Sequence, residues 1–305
     1  MRMLLIASTY SLGGRGHRFA PELALRLGAD LALAQKRGAA RALAGEAIGR
    51  YDRLLVGGGD GLLHEVANAL MSAPAAERPT LGLLPLGTGN DVARNLGVGE
   101  LGRAIAAIED GQPGVLDVFE VRCHDAAGRP HLVYSVLNVG FGYGVEVIRR
   151  ASPRLKATAG GAAAYAWGTL ATLATWDSPA LTLSGDHGIW RGRAFFASLC
   201  NGARECGGSL CLAPGARLDD GLAHLVVIPR LPRALLATRL PLLADGSFVE
   251  DQRVRFWPVR WLRATAERQL GLQADGELVG YTPAEVRLVP GALSVLTHDG
   301  GRDPA

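Results

Sequence analysis

Residues 51 to 70 read YDRLLVGGGDGLLHEVANAL, and the run Gly57-Gly58-Gly59-Asp60-Gly61 at their centre decides how this part of the chain folds. The apolar DRLLV (52–56) before it has the length of a buried strand, and LLHEVANALM (62–71) after it has helical periodicity. A strand that runs through a glycine turn into a helix is one unit of a strand-helix alternation. The flanking sequence continues it. MLLIAS (3–8) reads as a strand, PELALRLGADLALAQ (21–35) as a helix or a helix plus a strand, RALAGEAIGR (41–50) as a helix, TLGLLPL (80–86) as a strand and DVARNLG (91–97) as the start of another helix. Apolar strands alternating with helices predict a parallel sheet covered on both faces.

A second glycine loop, Gly87-Thr88-Gly89-Asn90-Asp91, stands in the same context, after one strand and before a helix. In an open parallel sheet both loops fall at the carboxyl edge, where ligands bind. Glycines there let backbone amides approach an anion, and the following helix adds partial positive charge, so phosphate is the natural guest. Gly57, Gly58, Gly59, Gly61, Gly87, Thr88, Gly89 and Asn90 make up the expected phosphate cradle. Each loop alone also reads as a tight strand-to-helix turn. The standard fingerprints fail: no Gly-x-x-x-x-Gly-Lys-Ser/Thr is present, and the third positions after Gly57-x-Gly59 and Gly87-x-Gly89 are Leu62 and Val92. Asp60 is then an acid at a site whose backbone prefers anions. A divalent cation between it and phosphate, or a proton to be removed nearby, reconciles the two, and phosphoryl transfer needs both.

Past Val115 the texture becomes strand-rich, with VLDVFEVRC, HLVYSVLNVG, AFFASLCNG, GLAHLVVIP, VRFWPVRWLRATA and AEVRLVPGALSVLTH, and with helical insertions at 142–151, 160–175 and 233–244. Strands joined by Gly, Asp and Pro turns predict an antiparallel, sandwich-like second domain. The expected division is 1–114 (α/β), 115–297 (β-rich) and a tail at 298–305.

The chain has 305 residues, 48% hydrophobic and 20% charged, enough for two domains with large cores. A net charge of +3 with scattered basic residues is too small to suggest a nucleic-acid binder, and none is expected. Cys123, Cys200, Cys206 and Cys211 have neither metal-site spacing nor the density of a disulfide scaffold, so reduced thiols and a cytoplasmic setting are expected. The stretch from Ala159 to Thr175 is the most membrane-like, and its Gly, Ala and Thr content reads as a buried helix.

GGGDGLLHEVANAL followed by PLGTGNDVARNLG resembles the paired signature of the diacylglycerol kinase catalytic-domain family, which includes bacterial lipid kinases and the sphingosine and ceramide kinases. LNVGFGYGVEV (137–147), NGARECGGSLCLAPGARLDDGL (201–222) and ADGE (274–277) extend the resemblance over most of the chain. It implies an α/β nucleotide domain and a β-rich lipid domain with the site between them. By resemblance Gly58 to Gly61 match the nucleotide loop, Thr88 a residue that contacts ATP, and Glu277 the proton acceptor for the lipid hydroxyl. Asp60 shares the candidacy for that base role. ARLDDGL resembles a structural Mg²⁺ site with Asp220 as carboxylate ligand and Arg217 and Leu222 as carbonyl ligands; a plain hairpin is the other reading.

The sequence departs from the family at three places. Leu62 stands where Thr or Ser is common, and His64 where bacterial members often have Asn, a pattern closer to the sphingosine kinases. The usual Asn-Pro element after the first strand is replaced by residues 8–16, whose Gly13, Gly14 and Gly16 read as a phosphate-side loop. A Thr expected near Leu33 and Ala34 is missing. His64 has no evident partner, and a polar helix-face contact is expected of it. Trp257 and Trp261 among arginines read either as a bilayer contact or as alternation on a half-buried strand. The leading reading is an ATP- and Mg²⁺-dependent lipid kinase, transiently at the inner face of the membrane, with a homodimer possible. A nucleotide- or lipid-binding regulator without turnover is the alternative, and a Rossmann oxidoreductase is weaker because its fingerprint fails.

Overall fold

In the computed structural model, which describes residues 1–11, 16–151 and 161–298, strands β1 (Met3–Ser8), β2 (Asp30–Ala34), β3 (Arg53–Gly58) and β4 (Thr80–Pro85) pair in parallel in the order β2-β1-β3-β4. Each of β1, β3 and β4 has at least four consecutive buried residues, which a strand shows only when both faces are covered. The connections are helices α1 (Gly16–Leu27), α2 (Ala39–Ala47) and α3 (Asp60–Leu70), with α4 (Asp91–Asn95) and α5 (Leu101–Asp110) following β4. PELALRLGADLALAQ thus divides between α1 and β2. Gly16 does not belong to a loop over the site: it opens α1, where a Cβ would collide with Ser11 Oγ and the Ser8 carbonyl. Gly13 and Gly14 lie outside the described residues, as do residues 299–305 of the tail.

The second domain contains β5 (Gln112–His124), β6 (Pro130–Ser135), β7 (Asn138–Phe141), β8 (Ala180–Gly185), β9 (Gly188–Cys200), β10 (Arg204–Glu205), β11 (Leu210–Cys211), β12 (Ala223–Pro229), β13 (Arg255–Val259), β14 (Trp261–Ala266), β15 (Gly271–Ala274) and β16 (Glu277–Thr297). Six of these form a closed hydrogen-bonded circuit, β16-β14-β8-β9-β7-β15 and back to β16. Alternation dictates the inside of that circuit. In β14 Leu262 and Ala264 are buried between exposed Trp261 and Arg263, and Leu183, Leu199, Leu272 and Val286 meet them in one apolar cluster.

The two domains share strands. β5 and β16 pair antiparallel from Gln112 opposite Thr297 to His124 opposite Tyr281, and the far end of β16 joins β4 in parallel at Val295 opposite Leu81. One continuous sheet therefore runs through the molecule. It carries the β15–β16 turn, with Asp275, Gly276 and Glu277, over the edge where β3 and β4 end.

Helices α6 (Tyr143–Arg150), α7 (Gly161–Thr175) and α8 (Arg233–Arg239) occupy the predicted insertions. The expectation that residues 159–175 form a buried helix is corrected, because Trp167 is 61% and Leu170 59% exposed. Composition alone could not distinguish a covered apolar helix from an uncovered one. Trp257 packs at the edge of the barrel core and stacks on His187 at 4.9 Å, while Trp261 on the next strand is 42% exposed.

Candidate active site

β3 and β4 are neighbours, so their two loops meet. Gly59 and Gly87 are in backbone contact: a Cβ on Gly87 would overlap the Gly59 Cα and lie 2.8 Å from the Gly59 nitrogen. At this pair glycine is required by loop-on-loop packing as well as by access to a ligand. Asn90, in the left-handed conformation with φ 55°, ties the second loop to itself, accepting the Gly87 N–H at 2.8 Å and donating to the Gly87 carbonyl at 3.0 Å. Gly57 and Gly58 end β3, Asp60 and Gly61 form the first turn of α3, and the exposed Thr88 caps the second loop. The first-turn amides of α3 have no preceding helical carbonyl and point toward the cleft end of the helix.

Asp60 joins the two loops, its Oδ1 accepting the Val92 N–H of α4 at 3.1 Å. Asp91 lies beside it. A Cβ on Gly89 would be 3.0 Å from Asp60 Oδ2 and 3.4 Å from Asp91 Oδ2, so the two carboxylates converge on that glycine. Burial, and then the charge of Asp60, push the Asp91 carboxyl up to about 6 against the pull of the Gly208, Gly207 and Cys206 amides. Those amides belong to the β10–β11 hairpin of the second domain, which donates Gly208 N–H to Asp91 Oδ1 at 2.9 Å and exchanges two hydrogen bonds between Arg204 and Asn95. Glu205 of the same hairpin is pushed up to about 7, by burial first, with Asp91 and Asp275 adding to it.

Glu277 reaches this edge from the other domain. A Cβ on Gly61 would lie 3.9 Å from Glu277 Oε1, and the Glu277 carboxylate pairs with Arg37 at the loop before α2. Arg37 is 78% exposed, so the pair contributes little to stability. Both residues line a cleft of about 560 Å³ together with Tyr10, Lys36, Arg41, Leu62 and Leu278.

The turn that presents Glu277 is held by its neighbour Asp275, which sequence reading missed. Its buried carboxylate accepts N–H groups from Val136, Leu137 and Asn138, the Ser135 hydroxyl at 2.7 Å, and the His64 Nδ1–H of α3 at 2.8 Å. Burial alone would raise this carboxyl; His64 and the surrounding donors reverse that and lower it. For His64, likewise, burial opposes the charge and Asp275 overcomes it, raising the imidazole. His64 therefore has a partner after all, 211 residues away in sequence. Its neighbour Glu65 accepts the Gly38 and Ala40 amides at the start of α2.

The ARLDDGL loop lies apart from these acids. Arg217 pairs bidentately with Asp219, and Asp220 Oδ1 accepts the Leu222 N–H at 2.9 Å. Beneath them the buried Asp117 accepts the Gly221 and Gly291 amides, each at 2.7 Å. Among the described residues no group of three or more His, Cys, Asp or Glu is arranged to hold a metal ion. The donor chemistry nonetheless suits a hard cation at two places. Asp60 Oδ2 and Asp91 Oδ2 both face Gly89, and Asp117, Asp219 and Asp220 gather negative charge about one loop.

Residues 2–121 match the family described as the diacylglycerol kinase catalytic domain, and residues 137–297 the YegS C-terminal NAD kinase beta sandwich-like domain. A protein named "Probable lipid kinase YegS-like" from Pseudomonas fluorescens is 34% identical over 86% of this chain and 83% of its own length. One of the same name from Pseudomonas savastanoi pv. phaseolicola is 33% identical over 87% and 83%. A crystal structure described as a diacylglycerol kinase from Bacillus anthracis shares the fold, with a TM-score of 0.72, 19% identity and coverage of 99% of this chain and 98% of that one.

Proposed function

The chain belongs to the diacylglycerol kinase catalytic-domain family and is a lipid kinase, and we propose that it transfers the γ-phosphate of ATP to a hydroxyl of a diacylglycerol-like or sphingoid-like lipid. The observation that carries this reading is the approach of Glu277, from the β-rich domain, to Gly61 at the opening of α3. A base is thereby set against a helix end and glycine loops suited to polyphosphate.

In the proposed reaction Gly57–Gly61 and Gly87–Asn90 hold the nucleotide, with Thr88 at its exposed side. Asp60, with Asp91 beside it, would hold Mg²⁺, which would neutralise phosphate charge. Glu277 takes the proton from the lipid hydroxyl as that oxygen bonds to the γ-phosphorus; the bond from phosphorus to the β,γ-bridging oxygen breaks and ADP leaves. Arg37 keeps the Glu277 carboxylate in place before substrate arrives, and phosphates entering the cleft compete for its guanidinium. Asp220, with the Arg217 and Leu222 carbonyls, would hold a second Mg²⁺, which would stabilise the second domain.

Glu277→Gln tests the central assignment because it keeps the side-chain shape and removes the base. ATP affinity measured by calorimetry should persist, while phosphorylation of a lipid panel falls by about 10²-fold or more. Equal loss of both, or loss of neither, removes Glu277 from the proton-accepting role.

A further inference from the structure

Helix α3 holds both ends of an ion pair that crosses the cleft. Gly61, His64, Glu65 and Asn68 stand at i, i+3, i+4 and i+7, on one face of the helix, and all four line the cleft. His64 bonds Asp275, in the turn that carries Glu277. Glu65 reaches the other way: its two oxygens accept the Gly38 and Ala40 amides, at 2.7 and 3.1 Å, at the opening of α2. Amides at the start of a helix have no preceding helical carbonyl, so the carboxylate satisfies them and complements the dipole. Gly38 directly follows Arg37 and is in the left-handed conformation with φ 83°, which a residue with a Cβ rarely adopts. The backbone beside Arg37 is thus set from α3, as is the turn that presents Glu277.

Within this frame Arg37 Nη2 donates to Glu277 Oε2, whereas Glu277 Oε1 faces Gly61 and the opening of α3. The Arg37 side chain is 78% exposed, and its other N–H groups meet no partner among the described residues. So exposed a pair adds little to stability, and folding does not account for its placement. Lys36 and Arg41 line the same cleft and make this wall cationic. In-line transfer fixes where the phosphoryl group has to be. The acceptor oxygen lies about 2.7 Å from the carboxylate that takes its proton and about 3–3.5 Å from the phosphorus it attacks. The equatorial phosphoryl oxygens then come close enough to the Glu277 carboxylate for one guanidinium to touch both, and Arg37 already touches the carboxylate. Five N–H groups in a planar fork suit that double contact.

We propose that Arg37 is a catalytic residue that bridges Glu277 and the γ-phosphoryl group in the transition state, and that Glu65 is the residue that positions it. The inference rests on the kinase reading and on Glu277 as the base. Arg37 exchanges no proton. As the acceptor oxygen bonds to phosphorus and the bond to the β,γ-bridging oxygen breaks, the acceptor proton passes to Glu277, and the guanidinium balances the negative charge spread over the equatorial oxygens.

The test separates transition-state from ground-state contacts. The probe is ADP with aluminium fluoride, a planar anionic mimic of the transferred phosphoryl group, measured by calorimetry beside ADP alone. Both are titrated with Mg²⁺ and with the lipid of the panel that wild type phosphorylates best. Arg37→Ala should keep ADP affinity within about twofold, lose at least about tenfold of the tightening that aluminium fluoride gives, and lower kcat roughly 10²-fold with KM for ATP little changed. Arg37→Lys should not recover the loss, since an ammonium is a point charge without the fork. Added guanidinium should restore part of the Arg37→Ala turnover and none of that of Glu277→Gln. Glu65→Ala should show the same split between the two probes, and Glu65→Ala/Arg37→Ala should be no slower than Arg37→Ala. Equal weakening of both probes makes Arg37 a ground-state nucleotide contact and overturns the proposal, as does undiminished turnover. Additive losses in the double variant overturn the positioning role of Glu65. An active Glu277→Gln protein beside an inactive Arg37→Ala one overturns the bridge and defeats Glu277 as base, with the kinase reading intact. That reading fails separately: wild type that phosphorylates no lipid of the panel defeats it, and this proposal with it.

Discussion

Asp91 at the start of α4 and Asp275 in the β15–β16 turn are buried carboxylates whose surroundings push them in opposite directions. Asp91 is raised to about 6, by burial and then by Asp60, whereas Asp275 is lowered although burial opposes it. Asp275 sits among backbone amides, a hydroxyl and an imidazole that together satisfy its charge; Asp91 has hairpin amides on one side and another carboxylate on the other. The Asp275 side, the proposed acceptor side, is thus electrically complete. The Asp60–Asp91 side, proposed to hold the nucleotide, carries excess negative charge, as a site does when its last ligand is a cation that arrives with the substrate.

Asp60→Asn attacks the incomplete side and carries the largest expected effect. Lipid phosphorylation should fall at least roughly 10²-fold, with the Mg²⁺ requirement raised. Stability should move the other way. A carboxyl whose folded pKa is raised stabilises fully below its unfolded value and loses that contribution as pH rises through the folded one. Asp91 therefore weakens the native state increasingly between its ordinary 3.8 and about 6. Removing the Asp60 charge relieves this, so the variant should be more stable than wild type at pH 8 by on the order of 1 kcal/mol, with little difference at pH 4. Near-normal turnover in a folded Asp60→Asn protein, or a variant less stable than wild type at both pH values, would show that the two acids do not act as described.

His64→Ala attacks the complete side. Leaving Asp275 without its cationic partner should cost about 3 kcal/mol, read as a lower Tm, while ATP affinity is retained. The sign follows from the raised imidazole: stabilisation by the pair is fully present below the ordinary 6.5 and is lost as pH rises through the higher folded value. The gap between wild type and variant should therefore narrow at alkaline pH. A gap that widens would mean the imidazole is held neutral.

How far the sequence reveals each side follows from where its partners come from. The glycine loops are legible because strand, turn and helix are adjacent in sequence, and their meeting requires only that β3 and β4 be neighbours. Asp60 is legible because an acid among glycines is chemically out of place. Asp275 is not, since its donors lie on β6, β7 and α3 and its Asp-Gly context reads as an ordinary turn. Asp91 reads as the first residue of a helix, and only the approach of Gly208 and Asp60 gives it a perturbed environment. Arg37 looks like one more scattered arginine until the fold sets it against Glu277. The barrel circuit was equally hidden: alternation predicts strands with one buried face, but closure depends on β14 bridging β8 and β16, a pairing that no local pattern encodes.

The ARLDDGL loop provides the finest test of the contrast between complete and incomplete acids. Asp219 is satisfied by Arg217, and Asp117 by two backbone amides, yet burial raises Asp117 and the charges of Asp220 and Asp219 add to that. Among the described residues Asp220 accepts the Leu222 amide two residues on, an exposed local contact through Oδ1, and its second oxygen would face the cation in the proposed Mg²⁺ site. If the cation binds there, Mg²⁺ at ten times its dissociation constant should stabilise the nucleotide-free protein by about 1.4 kcal/mol. Asp220→Ala should melt lower in Mg²⁺ and lose most of that increment, whereas Asp219→Ala should keep it, because Asp219 is already committed to Arg217. Differential scanning calorimetry with and without Mg²⁺ separates the cases. An equal Mg²⁺ shift in wild type and Asp220→Ala would mean that this loop is a hairpin pinned by Asp117 alone, with its acidic charge balanced by solvent.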